Sequence, residues 1–285
     1  MLLDGRGLMA EGVSEGIAVQ IRTYGTLGPV VVVLHGGPGA PGYMAPVARG
    51  LANSFRVLEP LQRGSGSEPL TVARHVAHLH ELVESGCGGV RPALVGHSWG
   101  AMLALAYAAA HPGRAASLVL IGCGTFDLAA RDRLWAIREE RLDNRLRRRI
   151  ECLPEEFPDP DKRLSVLGDL LLPLYSYDLI SSDLELEGCD AGANQETWED
   201  MVRLQEEGVY PAAFAAIETP VIMVHGAVDP HPGPMIHASL KPHIPQLEYR
   251  EWECCGHYPW LERAVHDEFY AVMGEWLARQ FTSED

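Results

Sequence analysis

Gly96-His97-Ser98-Trp99-Gly100 stands between a short apolar run, Ala93 to Val95, and a helical pattern that opens near Ala101. A strand, a G-x-S-x-G turn and a helix make a nucleophile elbow, whose tight turn lifts the serine hydroxyl clear of the sheet. Glycine at 96 and 100 lets neighbouring chain pack that closely, and strain at the serine backbone is part of the device. A serine needs a base, and the base needs an acid to orient it. Downstream, in that order, Asp229 follows the run Val221 to Val224 in HGAVDPHPG, and His257 follows a strand pattern ending near Glu251 in ECCGHYPW. Each alone also has a structural reading, Asp229 as a turn residue before proline and His257 as an incidental loop histidine. Behind an elbow serine they read as a catalytic set of Ser98, Asp229 and His257.

Acyl transfer builds negative charge on the carbonyl oxygen, and backbone N–H groups in a glycine-rich turn can approach that oxygen unobstructed. His35-Gly36-Gly37-Pro38-Gly39 directly follows the run Val30 to Leu34 and supplies such a turn. Gly37 is the candidate donor there, paired with the N–H of Trp99, the residue after the nucleophile. A phosphate-binding loop is the competing reading, and it fails because G-x-G-x-x-G spacing and a following lysine are both missing. Cys254, Cys255 and His257 invite a metal reading, but adjacent cysteines seldom chelate one ion together and no second Cys pair of ligand spacing exists, so neither metal nor cofactor is expected. His75, His78, His80, His111, His237 and His243 read as structural or surface residues. His231 belongs with them less securely, being two positions from Asp229.

These residues need a scaffold that presents strand ends. Apolar runs at Ile17 to Tyr24, Val30 to Leu34, Phe55 to Leu58 and Ala93 to Val95 alternate with helical patterns, which predicts an α/β sheet. Val30 to Leu34 is continuously apolar, as in a central parallel strand covered on both faces. Val72, Val76, Leu79 and Val83 recur at helical spacing, and Gly86 to Gly89 ends that helix. A buried helix follows Gly100 and stops at Pro112, and Ser117 to Ile121 is the next strand. From 125 to 217 the chain turns charged and helical without a clear strand, with Trp135, Leu142, Leu170 to Leu172, Trp198, Met201 and Leu204 as inward faces. Pro154 to Pro160 is expected to be a loop. Strand patterns resume at Pro220 to Val224 and near Gln246 to Glu251, and a helix from about Trp260 to Phe281 closes the chain. Two units result: an α/β core, 1–124 with 218–285, and a helical insertion, 125–217. Eight arginines between Arg131 and Arg149 interleave with Asp132, Glu139, Glu140 and Asp143, the pattern of a solvated, internally paired helix face.

Composition narrows the partners. The chain has 285 residues, 23 basic against 39 acidic, a net charge of −16 and 47% apolar residues. Such a chain can bury a core and is not disordered. Excess negative charge works against a phosphate backbone, so nucleic acid is excluded. No apolar stretch reaches the roughly 18–20 residues that cross a bilayer. The opening MLLDGRGLMAEG has no basic region followed by an apolar core, so no secretory signal is expected there. Six cysteines lie scattered without framework spacing, as free thiols in a reducing, cytoplasmic setting.

HGGPG, QRGSGSE (62–68), GHSWG, HGAVDPHPG and CGH together resemble the α/β-hydrolase superfamily, and within it the branch of proline iminopeptidases. The resemblance covers roughly 15–124 and 218–283. It implies one core domain with a mostly parallel eight-stranded sheet, helices on both faces, and a helical cap over the active site. It also implies Ser98 as nucleophile, His257 as general base, Asp229 as its orienting acid, and HGGPG as the oxyanion loop. Three departures bear on substrate. Leu61 stands where the branch usually has Asp, and His97 where it typically has glycine. The cap glutamates that hold a peptide's free amino end have no recognisable motif: Glu196, Glu199, Glu206 and Glu207 qualify by location alone, the alternative being an exposed helix face. An elbow serine speaks against the dehalogenase and epoxide hydrolase reactions, which use Asp. The expected activity is hydrolysis of an ester or amide of a small molecule or short peptide through an acyl-enzyme. A carboxylesterase, a hydrolase of lipid-like esters or a C–C bond hydrolase is the alternative, and a small-molecule receptor on the same fold is an alternative of another class.

Overall fold

The computed structural model describes residues 20–282. The opening segment, including the first residues of the Ile17 to Tyr24 run, lies outside them. Seven strands form one sheet: β1 (Ile21–Tyr24), β2 (Val30–Leu34), β3 (Arg56–Pro60), β4 (Ala93–His97), β5 (Ser117–Ile121), β6 (Val221–Gly226) and β7 (Glu248–Trp252). Their spatial order is β1-β3-β2-β4-β5-β6-β7. All neighbours run parallel except β1, which pairs antiparallel with β3, so the described residues give seven strands where eight were expected. From β2 the chain steps one way to β3 and then back across to β4. The carboxyl ends of β2 and β4 thus flank the point where strand order reverses, the usual position of a ligand crevice in such sheets.

The sheet is central because its strands are apolar on both faces. In β2, Val30, Val32 and Leu34 pack toward α2 (Val72–Gly86) and α3 (Trp99–Ala110), while Val31 and Val33 pack toward α1 (Ala45–Leu51) and α10 (His266–Thr282). Alternate side chains of one run thereby enter two separate cores. Between β5 and β6 stand α4 (Leu128–Arg141), α5 (Asn144–Glu151), α6 (Leu153–Glu156), α7 (Pro160–Leu171) and α8 (Ala191–Glu206), with α9 (Gly233–Leu240) following β6. Asp127, Asp143, Asp159 and Asp190 accept from the first-turn N–H groups of α4, α5, α7 and α8, so each of these four helices begins on an aspartate cap.

Two local expectations need correction. Pro154 to Pro160 is not all loop: Leu153 to Glu156 is a short helix and Pro160 opens α7, because proline is tolerated in a helix's first turn where its missing N–H has no partner anyway. Trp135 is 51% exposed rather than buried in a core, its ring covered in part by the Arg138 guanidinium 4.5 Å away.

Candidate active site

Ser98 joins β4 to α3 with φ 54° and ψ −117°, a conformation that costs a non-glycine residue of order 1–3 kcal/mol. Its N–H donates to the Ile121 carbonyl on β5 at 2.9 Å, and its own carbonyl accepts from Ala101 and Met102. A Cβ on Gly96 would stand 2.2 Å from the Gly100 carbonyl oxygen, and one on Gly100 equally close to that of Leu34. Both positions therefore require glycine, since the obstruction is backbone that cannot turn aside.

Asp229 and His257 come together from the loops after β6 and β7. His257 Nδ1 lies 2.5 Å from Asp229 Oδ2, both residues buried. The second carboxylate oxygen accepts from the backbone N–H and from Nδ1 of His231, both at 2.9 Å, and His225 Nε2 stands 3.3 Å from Oδ2. Burial alone would raise the Asp229 carboxyl, but the imidazoles of His257, His231 and His225 hold it well below the ordinary carboxylate range. Burial pulls the His257 imidazole below its usual value, against the pull of Asp229. His257 is thus neutral near pH 7, with Nδ1–H committed to Asp229 and Nε2 left as a base. Ser98 and His257 border the same cavity of about 480 Å³, and no hydrogen bond joins them among the described residues. Such bonds are often loose before a substrate is seated.

The loop after β2 faces this pair. Gly37, at φ +105°, borders the cavity, and neither its N–H nor that of Trp99 donates to a protein acceptor among the described residues. Gln62 fixes the loop to the elbow: its side-chain amide donates to the His35 carbonyl at 2.6 Å and its Oε1 accepts from Trp99 Nε1 at 2.9 Å. Gln62 N–H also donates to His35 Nε2, which must be unprotonated, and burial lowers His35 to about 4.

A second strut beneath His257, with no signal in the sequence, runs through Tyr43 and His97. Gly36 N–H donates to the Tyr43 hydroxyl at 2.6 Å, the hydroxyl donates to His97 Nδ1 at 2.7 Å, and His97 Nε2–H donates to the His257 carbonyl at 2.9 Å. His97, buried and neutral, ties the glycine loop to the backbone of the candidate base. His231, read as structural, lies against the site: its ring stacks on His257 at 4.7 Å and borders the cavity. Cys254 is exposed and Cys255 buried, whereas Asp229, His231 and His257 hold potential ligand atoms within 4.8 Å, the carboxylate oxygens already accepting from both histidines.

The helical segment closes the cavity with Leu134, Trp135, Leu171, Leu172, Trp198 and Val202. Asn194 on α8 donates to the Pro38 carbonyl at 2.8 Å and to that of Gly37, pinning the helix to the glycine loop. Glu196 accepts from Leu70 N–H, Glu207 pairs with Arg203, and none of Glu196, Glu199, Glu206 or Glu207 borders the cavity. Arg131 and Arg138 do border it, which overturns the reading of the whole Arg131 to Arg149 stretch as a solvated face. A smaller adjoining cavity of about 160 Å³ shares Gly37, Ser98 and His257 and is bordered by Asp169.

Known proteins are related to this chain in sequence and in fold. The profile of the Alpha/beta hydrolase family matches residues 31–271. A proline iminopeptidase of Lactobacillus helveticus is 25% identical, covering 87% of this chain and 90% of its own. Among solved structures, a thermophilic esterase from Thermogutta terrifontis superposes with a TM-score of 0.62 at 19% identity, covering 97% and 99% of the two chains. The proline iminopeptidase of Mycobacterium smegmatis gives the same TM-score at 18% identity over 94% and 96%. Both structural likenesses bear on the fold.

Proposed function

The chain belongs to the alpha/beta hydrolase family, and from that premise we propose that it is a serine hydrolase acting on an ester or amide of a small molecule through an acyl-enzyme. The observation that carries this reading is the 2.5 Å His257 to Asp229 bond beside a strained Ser98 on one cavity. Ser98 Oγ attacks the carbonyl carbon while His257 Nε2 takes its proton, and Asp229 holds the imidazole in the tautomer that leaves Nε2 free. The N–H groups of Gly37 and Trp99 receive the oxyanion. On collapse the leaving alcohol or amine takes the proton from His257, and water repeats the sequence to release the acid. Residues 125–217 act as the cap over a core of 1–124 and 218–285. No helix among the described residues is long and apolar enough to cross a membrane, and all six cysteines are free thiols, which supports cytoplasmic residence.

An aminopeptidase is the second reading. The Lactobacillus helveticus relative supports it, and Asp169 on the smaller cavity is a carboxylate that could meet a free amine. Against it, no Asp or Glu borders the larger cavity. Hydrolysis of a short-chain nitrophenyl ester and of a prolyl-arylamide, with Ser98→Ala as blank, separates the two. Ester turnover that falls by at least about 10³-fold in Ser98→Ala is expected. Retention of most activity in that variant would refute the serine assignment, and arylamide turnover matching the ester would establish the aminopeptidase reading.

A further inference from the structure

Resting on the serine hydrolase reading, we propose that the substrate carries an anionic group, a carboxylate or a phosphate, besides the bond that is cleaved, and that Arg131 and Arg138 receive it. Six arginines between 131 and 149 have three kinds of placement. Arg133 pairs with Glu140, Arg147 with Glu139 and Arg149 with Glu156, so these three acidic residues serve arginines outside the cavity. Arg141 donates to the backbone carbonyls of Leu174 and Val228, a structural duty. Arg131 and Arg138, both on α4 and two turns apart, border the large cavity instead. Among the described residues neither has a carboxylate within salt-bridge distance. Arg131 reaches only the neutral amide of Gln205, and Arg138 lies over Trp135 and Tyr175, with the neutral Tyr175 hydroxyl as a polar partner and a buried Nε that has no acceptor.

In a chain of net charge −16, a cavity lined by two guanidinium groups and no carboxylate is a local reversal of sign. A buried donor left without an acceptor is costly, and a charged one more so. Guanidinium groups answer planar oxyanions with paired N–H donors, so an incoming carboxylate or phosphate supplies what the protein withholds. The remaining wall, with Leu134, Leu171, Leu172, Trp198 and Val202, suits an apolar body between the anion and the scissile carbonyl at Ser98. Cation-lined walls also gather anions from solution, so the preference weakens as salt rises.

The test compares 4-nitrophenyl hydrogen adipate, which keeps a free carboxylate, with its methyl ester, which has the same shape and no charge. Wild-type protein should favour the charged ester in kcat/KM. Arg138→Gln should reduce that preference ratio by about 10–100-fold, the loss typical of a hydrogen-bonded charge pair, and Arg131→Gln should reduce it less. Arg147→Gln, paired outside the cavity, should leave the ratio in place. Calorimetry with adipate and with phenyl phosphate, on Ser98→Ala protein, reads binding without turnover and separates the two anions. A wild-type preference for the neutral ester, or a ratio indifferent to both arginines, would overturn the proposal while leaving Ser98 chemistry intact. Should both esters resist hydrolysis, binding of either anion that is lost in Ser98→Ala/Arg138→Gln sustains it, and binding of neither ends it. Undiminished ester turnover in Ser98→Ala would instead remove the serine reading, with the calorimetric result still deciding the arginines.

Discussion

Asp229 serves three imidazoles with two oxygens, and the division of labour among them sets the chemistry of the site. Oδ2 orients His257, Oδ1 is spent on His231, and His225 closes the far side. Asp229→Asn should leave the fold intact and lower kcat by about 10⁴-fold, because an amide can donate to Nδ1 and stabilise the wrong tautomer. Circular dichroism and steady-state rates on the same preparation check both halves. Burial holds His257 below the ordinary imidazole value, so as the proposed base it stays neutral on the acid side of 6.5. The acid limb of kcat/KM should therefore fall below pH 6.5, and a limb centred above it would contradict a buried, neutral base. That the candidates Ser98, Asp229, His257, Gly37 and Trp99 would lie together was legible in the sequence because each follows closely on a strand's carboxyl end. Arg131 and Arg138 were not, since eight arginines on charged helices look alike until packing decides which ones turn inward. The Gly36, Tyr43, His97 and His257 strut was hidden for a related reason, as its members come from four separate stretches of chain.

At the scale of elements, strands were the readable part. Val30 to Leu34 and Ser117 to Ile121 were foreseen at their observed bounds, because a fully buried parallel strand needs an unbroken apolar run and little else. The final helix begins at His266 rather than near Trp260, and a short 3₁₀ turn takes the difference. Glu262 sits just beyond that turn, fully buried, and accepts from the N–H groups of Tyr177, Asp178 and Gly256 at 2.7–2.9 Å. One carboxylate thereby joins the loop of His257 to the end of the helical segment. Glu262→Ala removes a fully buried carboxylate that serves three backbone donors, the buried Gly256 N–H among them, and should cost about 3 kcal/mol of unfolding free energy. Urea denaturation measures it, and a loss below about 1 kcal/mol would mean that water replaces the carboxylate at no penalty.

For the whole molecule, buried neutral histidines make stability depend on pH. Burial lowers His35 to about 4 and His75 to about 3, while the unfolded chain protonates near 6.5. Between those values the unfolded state binds more protons than the folded one, so stability rises with pH and is lost as pH falls from 6.5 toward 4. Each histidine contributes about 1.4 kcal/mol per pH unit in that window. The urea midpoint should thus drop between about pH 7 and pH 5, and His75→Gln should make the drop shallower. A midpoint that stays level across this range would contradict neutral burial of these rings.

Ser98, held in a strained turn on the same cavity as the neutral His257, is the proposed nucleophile. Intact-protein mass after incubation with a fluorophosphonate tests it most directly, because the reagent phosphonylates an activated serine without regard to the natural substrate. A single adduct located on Ser98 by peptide mapping, and none in Ser98→Ala protein, is the predicted result. An adduct on another residue, or equal labelling of the Ser98→Ala variant, would contradict it.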